Sequence, residues 1–245
     1  MKTNKTRAKK VLVALFAMLM PLLASAYDFK VDVFFYNITS STDLTVEVTY
    51  KGDSYNSYSN EYKGIVNIPS TVIYDGTEYY VKSIGDYAFR DCYSLTAITI
   101  PEGVTSIGKW TFAGCYSLTA ITIPESVMSI GDYAFEWCSS LTAVHISDIA
   151  AWCSILFNGY RSFPLDHGHN LYLNGELVTE LTIPEGMTSI GDHAFEGCTS
   201  ITTITIPNGV TSIGRSAFAG CSSLTAITIP EGVTSIGEGA FYECI

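Results

Sequence analysis

Positive charge is scarce in this chain of 245 residues: 13 Lys+Arg face 24 Asp+Glu, for a formal net charge of −11. That balance argues against nucleic acid as a partner, because phosphate is held by clustered Lys and Arg and repelled by an acidic surface. Beyond residue 23 no apolar run approaches the roughly 20 residues that a membrane helix needs. Cysteines never come in close pairs, so neither a disulfide framework nor a thiolate metal site is announced. Histidine numbers only four, and just one stretch, Asp166-His167-Gly168-His169, brings two of them together.

The one basic run lies at the start. Lys2, Lys5, Arg7, Lys9 and Lys10 precede an apolar core from Val11 to Leu23 and a small-residue tail, Ala24-Ser25-Ala26. This order is that of a secretory signal peptide, with a core too short to span a bilayer. Cleavage would leave Tyr27 first, with no cysteine there to accept a lipid. Eight Lys+Arg would then remain against 24 Asp+Glu, a net charge of −16. The expected location is secreted or cell surface, with no transmembrane segment after cleavage.

Repetition dominates the rest. The stretch SLTAITIPEGVTSIG stands at Ser94–Gly108 and again at Ser223–Gly237, with SLTAITIPESVMSIG between them at Ser117–Gly131. Cys92, Cys115 and Cys138 are spaced by 23, as are Cys198, Cys221 and Cys244, and only Cys153 is off the register. A fixed period in the twenties marks a solenoid, in which each coil covers the next. Literal duplication suits such a structure better than it suits a catalytic site, which needs one convergent cluster. Equivalent cysteines in stacked coils would lie about 5 Å apart. Their parallel Cβ directions make bridging awkward, and the expectation is a ladder of buried free thiols.

Within one unit, Leu95-x-x-Ile98-x-Ile100 has leucine-rich repeat spacing. Ile98 and Ile100 share the inner face of a short strand and Thr99 faces out. Pro101-Glu102-Gly103 is expected to close the strand, with Pro at the second and Gly at the fourth position of a type I turn. Gly85, Gly108, Gly131, Gly191, Gly214 and Gly237 should make a second turn, after which Asp86, Asp132 or Asp192 caps a brief helical segment. Phe89 and Cys92 would share its inner face. Columns such as Leu95, Leu118, Leu141 and Phe89, Phe112, Phe135 then build the core. The predicted fold is a leucine-rich repeat solenoid: short parallel β-strands stacked into a curved sheet, turns and short helical segments on the other side, and a β-rich N-terminal cap.

The unit IGxxAFxxCxSLTxITIPxGVTS resembles that of the BspA-type leucine-rich repeat proteins from Gly64 to Ile245, and YNITSSTDLTVEVTYKGDSYNSYSNEYKGIVNIP resembles their opening. This likeness implies an exported or surface bacterial protein of adhesive function, binding host matrix proteins or neighbouring cells.

The expected organisation is a leader over 1–26, a capping module over 27–63 and the solenoid over 64–245. The alternation of Leu44, Val46, Val48 and Tyr50 marks a cap strand, and Gly64–Pro69 the first solenoid strand. Ile149–Thr179 breaks the period and is read as an enlarged repeat bulging from the convex side or an edge, the register returning at Leu181, Ile183 and Pro184. The last unit, VTSIGEGAFYECI, lacks its strand. It is expected to leave an open edge at which the chain frays or self-associates, and to continue in the natural product through further repeats.

Several residues carry potential chemistry. Asp166-His167-Gly168-His169 has metal-ligand residue types but no third ligand in its spacing, so a polar loop is expected. Cys153 with one of these histidines would lack an orienting group and an oxyanion hole. His145 and His193 read as surface variation, and the sequon Asn37-Ile38-Thr39 matters only in a glycosylating host. No cofactor and no catalytic role are expected. The candidate partner-binding face is the outward row Thr99, Thr122, His145, Thr182, Thr205 and Thr228, flanked by Ala97, Ala120, Ala143, Glu180, Thr203 and Ala226. Thr96 and Thr99, three apart, cannot share a strand face, which removes an ice-binding array. Two functions stay open: an adhesin recognising proteins through the solenoid face, and a surface spacer with no ligand of its own.

Overall fold

The structure is a computed structural model and describes residues 27–159, 162–165 and 169–244. The leader, Asp166-His167-Gly168 and Ile245 lie outside the described residues.

Strands β1 (Phe29–Val31), β2 (Phe34–Ser40) and β3 (Thr45–Thr49) form an antiparallel meander. After β4 (Gly64–Asn67), strands β5 (Thr71–Tyr74) and β6 (Thr77–Ile84) make a hairpin, and β6 pairs in parallel with β3. The meander thereby joins a solenoid sheet directly. Each later coil adds one strand to either side: β7 (Leu95–Thr99) and β8 (Ser106–Ile107), then β9 (Ala120–Thr122) and β10 (Ser129–Ile130), then β11 (Ala143–Ile146). The irregular region supplies α1 (Ile149–Cys153), β12 (Leu156–Phe157), β13 (Asn170–Leu173) and β14 (Glu176–Leu177). Regular coils resume with β15 (Glu180–Thr182), β16 (Ser189–Ile190), β17 (Thr203–Thr205), β18 (Ser212–Ile213), β19 (Ala226–Ile227) and β20 (Ser235–Ile236).

Two sheets run from the cap into the irregular region, ordered β1-β2-β3-β6-β8-β10-β12, with β5 on β6, and β14-β13-β11-β9-β7-β4; two of three strands follow it, β15-β17-β19 and β16-β18-β20. Between them runs one continuous core. Leu95, Leu118 and Leu141 are almost wholly buried, as are Ile98 and Ile100, in agreement with the repeat spacing. Every buried large side chain contributes roughly 1.5–3 kcal/mol before entropy is subtracted. Threonine ties the coils at the surface: the hydroxyl of Thr119 donates to the Thr96 carbonyl and that of Thr142 to the Thr119 carbonyl, both at 3.3 Å.

Two local expectations are corrected. In the turn after β7 the Val104 N–H donates to the Pro101 carbonyl at 3.4 Å, so Pro101 is the first residue, not the second. Gly103 is the third, at φ +91°, the left-handed position of a type II turn that glycine occupies without a Cβ clash. The second correction removes the helical segment. From Gly85 to Leu95 the chain makes consecutive tight turns, interrupted by left-handed Tyr87 at φ 62° and Asp91 at φ 56°. A helix would hold its N–H groups within the segment. Here those of Tyr87, Phe89 and Asp91 donate across to Lys109, Thr111 and Ala113 of the next coil, at 2.8–3.0 Å. Asp86 does not cap a helix; its carboxylate accepts the Lys109 N–H at 2.8 Å, and Asp192 likewise accepts that of Arg215 at 2.7 Å. Gly108 is needed for a different reason from Gly103, since a Cβ there would lie 2.5 Å from the Asp86 backbone nitrogen.

Where it is described, the irregular region stays within the coil stack. It feeds β12 to one sheet and β13 to the other, and an Asn174-Gly175 turn folds β14 back against β13, ending that sheet. Its Trp152 is 1% exposed and solves a pairing problem. The carbonyls of Thr111, Ala134, Ala217 and Ala240 each accept the N–H of a phenylalanine one coil earlier. The equivalent carbonyl of Ala194 accepts instead from the Trp152 indole Nε1–H, at 2.7 Å.

Phe112 is fully buried between Phe89 and Phe135, with ring centroids 5.5 and 5.4 Å away. Phe112→Ala should cost about 3–5 kcal/mol in urea denaturation; a loss under about 1 kcal/mol would contradict this packing. Trp152→Phe keeps most of the apolar volume but orphans the Ala194 carbonyl, for an expected loss of about 1–3 kcal/mol in the same measurement.

Candidate functional site

The outward rows follow from strand register. Ala97, Ala120, Ala143 and Asn170 align, and beside them Asn67, Thr99, Thr122, His145 and Tyr172. The first five-strand stretch therefore presents a row of mostly short side chains, with exposed Ile65 beside Ala97 at one end and the His145 imidazole stacked on the Tyr172 ring at 4.8 Å at the other. In the second sheet Glu180 aligns with Thr203 and Ala226, and Thr182 with Thr205; all five are exposed. Thr228 is exposed just beyond the end of β19.

The single predicted column is thus two. His145 is followed by Tyr172, not by Thr182, because β13 and β14 intervene and β15 starts a separate sheet. Asn67 and Tyr172 belong to the face and were missed by sequence reasoning. A signal for the second existed: NLYLNGEL sets Asn-Gly between short apolar runs, a hairpin signature. His193 is more than surface variation. Its ring stacks on Phe163 of the irregular region at 5.1 Å and Nδ1 bonds the Glu196 carboxylate.

All seven cysteines are free. The thiols of Cys115, Cys138, Cys221 and Cys244 donate to the carbonyls of Phe89, Phe112, Phe195 and Phe218, each one coil back, at 3.0–3.3 Å. Burial pushes the Cys92 thiol up to about 11 and those of Cys138 and Cys153 up to about 12. A nucleophile works as thiolate, so Cys153, buried and protonated, is poorly suited to attack. The His169 Nδ1 meets the Pro164 carbonyl at 2.7 Å. Among the described residues no three His, Cys, Asp or Glu side chains converge as metal ligands, and no helix is long and apolar enough to cross a membrane.

A repeat solenoid of leucine-rich type is the class this architecture defines. The profile of the BspA type leucine-rich repeat region matches residues 58–159 and 168–245 in six copies. The chain belongs to that family, whose fold is typically non-catalytic. No curated protein sequence matches it significantly. Among solved structures, a leucine-rich repeat protein from Bacteroides ovatus is 33% identical with a TM-score of 0.58, covering 89% of this chain and 51% of that one. A leucine-rich cell surface protein from Faecalibacterium prausnitzii is 32% identical, TM-score 0.58, with coverage of 92% and 53%. The T. pallidum leucine-rich repeat protein is 25% identical, TM-score 0.54, with coverage of 89% of both. The chain spans about half the length of the first two relatives.

Thiol chemistry tests the ladder. Native protein should react at about one cysteine, the partly exposed Cys244, and unfolded unreduced protein at all seven; three bridges and one thiol would overturn it. Because the folded state raises these pKa values, the native chain holds the protons more tightly than the unfolded chain. Their contribution is therefore complete below the ordinary thiol value of about 8.5. The melting temperature should fall as pH climbs from there toward the Cys92 value of about 11.

Proposed function

We propose that this chain is an exported, protein-binding repeat protein of a bacterial surface, an adhesin that recognises host matrix proteins or neighbouring cells through its exposed strand faces. The cap over 27–63 closes one end of the solenoid over 64–245, and a cleaved leader over 1–26 directs export. The observation that carries the reading is the aligned row Thr99, Thr122, His145 and Tyr172 on hydrogen-bonded strands. A surface already ordered by its backbone loses little freedom when a partner docks. Family membership and a relative described as a cell surface protein support the location. The strongly acidic balance keeps such a protein soluble and off anionic lipid.

The spacer reading draws on one observation: the second face, with Glu180, Thr182, Thr203 and Thr205, offers no aromatic anchor of the kind that dominates binding energy. Immobilised protein probed with fibronectin, fibrinogen and whole cells separates the two. Thr122→Lys and Thr205→Lys should each weaken saturable binding about tenfold, or about 1.4 kcal/mol. Both positions are exposed, so stability should stay within about 0.5 kcal/mol. No binding at all favours the spacer, and saturable binding unaltered by either variant removes the strand faces as the binding surface.

A further inference from the structure

Where cap and first coil meet, a cleft of about 440 Å³ opens on the side opposite the threonine rows. Such a volume lies within the range of small-ligand sites. Strand register builds it. Glu47, Ser83 and Ser106 align across β3, β6 and β8, so the cap places a carboxylate at the head of a row that the coils continue with serine. Gly85 makes room for that carboxylate: a Cβ there would come within 2.9–3.1 Å of its carbon and both oxygens. Asn37 Nδ2 holds Oε1 of Glu47 at 3.0 Å, leaving Oε2 available.

Around this anchor the cleft is lined by hydrogen-bonding groups that the protein itself leaves unused. The hydroxyls of Thr49, Ser83 and Ser106 line it and have no hydrogen-bond partner among the described residues. Tyr50 and Tyr87 add aromatic surface to the lining.

The chemistry narrows the ligand. Two carboxylates, Glu47 and Asp86, repel anions, and polar walls suit no lipid. Asp86 already accepts the Lys109 N–H and has the Lys109 ammonium 3.5 Å away, so its charge is met. What the site lacks is a dense set of neutral hydroxyls, able to donate to carboxylate oxygens and to exchange hydrogen bonds with Thr49, Ser83 and Ser106. We propose that this cleft binds a neutral saccharide. It is separate from the strand faces and does not depend on them.

Saturation-transfer NMR on the full chain with lactose, mannobiose and chitobiose tests this. At least one disaccharide should show transfer at millimolar concentration, insensitive to added salt. Gly85→Ala, which evicts the flexible Glu47 carboxylate, and Thr49→Val, which removes only the hydroxyl, should each weaken it about tenfold with the fold intact by circular dichroism. Should Gly85→Ala not fold, Thr49→Val alone decides. No transfer from any of the three sugars overturns the proposal, as does transfer undiminished by the variants. Binding of spermidine alone, lost as salt rises, would make the cleft a cation site instead.

Discussion

Coil-to-coil hydrogen bonding at a spacing of 22 to 24 residues is the constraint on which the other features rest. In the arc opposite the strands, the N–H groups of Tyr87, Phe89 and Asp91 donate to the next coil, and those of Trp110, Phe112 and Gly114 donate to the one after. A helix there would satisfy the same donors within itself and leave this arc of each coil joined to the next by side chains alone. Alternate residues must therefore face the neighbour, and the left-handed residues at 87 and 91, 110 and 114, 133 and 137 supply the required reversals. The buried thiols and the phenylalanine stack follow from this spacing, because equivalent side chains are brought into line whether or not they attract.

The same constraint explains how the solenoid survives its irregular region. A carbonyl facing an interrupted coil still needs a donor in an apolar interior. At Ala194 the donor is an indole, and at Cys153 the carbonyl accepts the Gly191 N–H in place of an isoleucine carbonyl of a regular coil. The interruption is thus covalently long but energetically continuous. It resets both sheets, and that reset divides the outer face into two separate rows.

Identical backbones carry very different surfaces. The left-handed position holds Tyr87, Trp110 and Tyr133 before the irregular region, and His193, Ser216 and Gly239 after it. An aromatic residue in that conformation is strained relative to glycine. Stacking partly offsets the strain, as between Trp110 and Tyr133 at 4.4 Å. Surface chemistry can vary in this way from coil to coil without disturbing the hydrogen-bond register beneath it.

The repeat period, the inward Leu and Ile positions, the first strand at Gly64 and the unpaired cysteines were legible in the sequence, because each depends on side-chain spacing along a single strand or on one residue per coil. The turn type at Pro101 was misread, since Pro and Gly fit two turn geometries and only the left-handed φ of Gly103 separates them. The helical segment was misread because Phe89 and Cys92 share a face equally well in a tight arc, and local spacing does not reveal that the amide groups bond to another coil. The face residues Thr99, Thr122 and Thr205 were correctly placed outward, whereas their neighbours across the interruption, and the meeting of Glu47 with Gly85, were decided by tertiary structure. Periodicity determines what repeats; where a repeat fails, the fold is set by whichever distant group satisfies the exposed backbone, and no local pattern in the chain names that group.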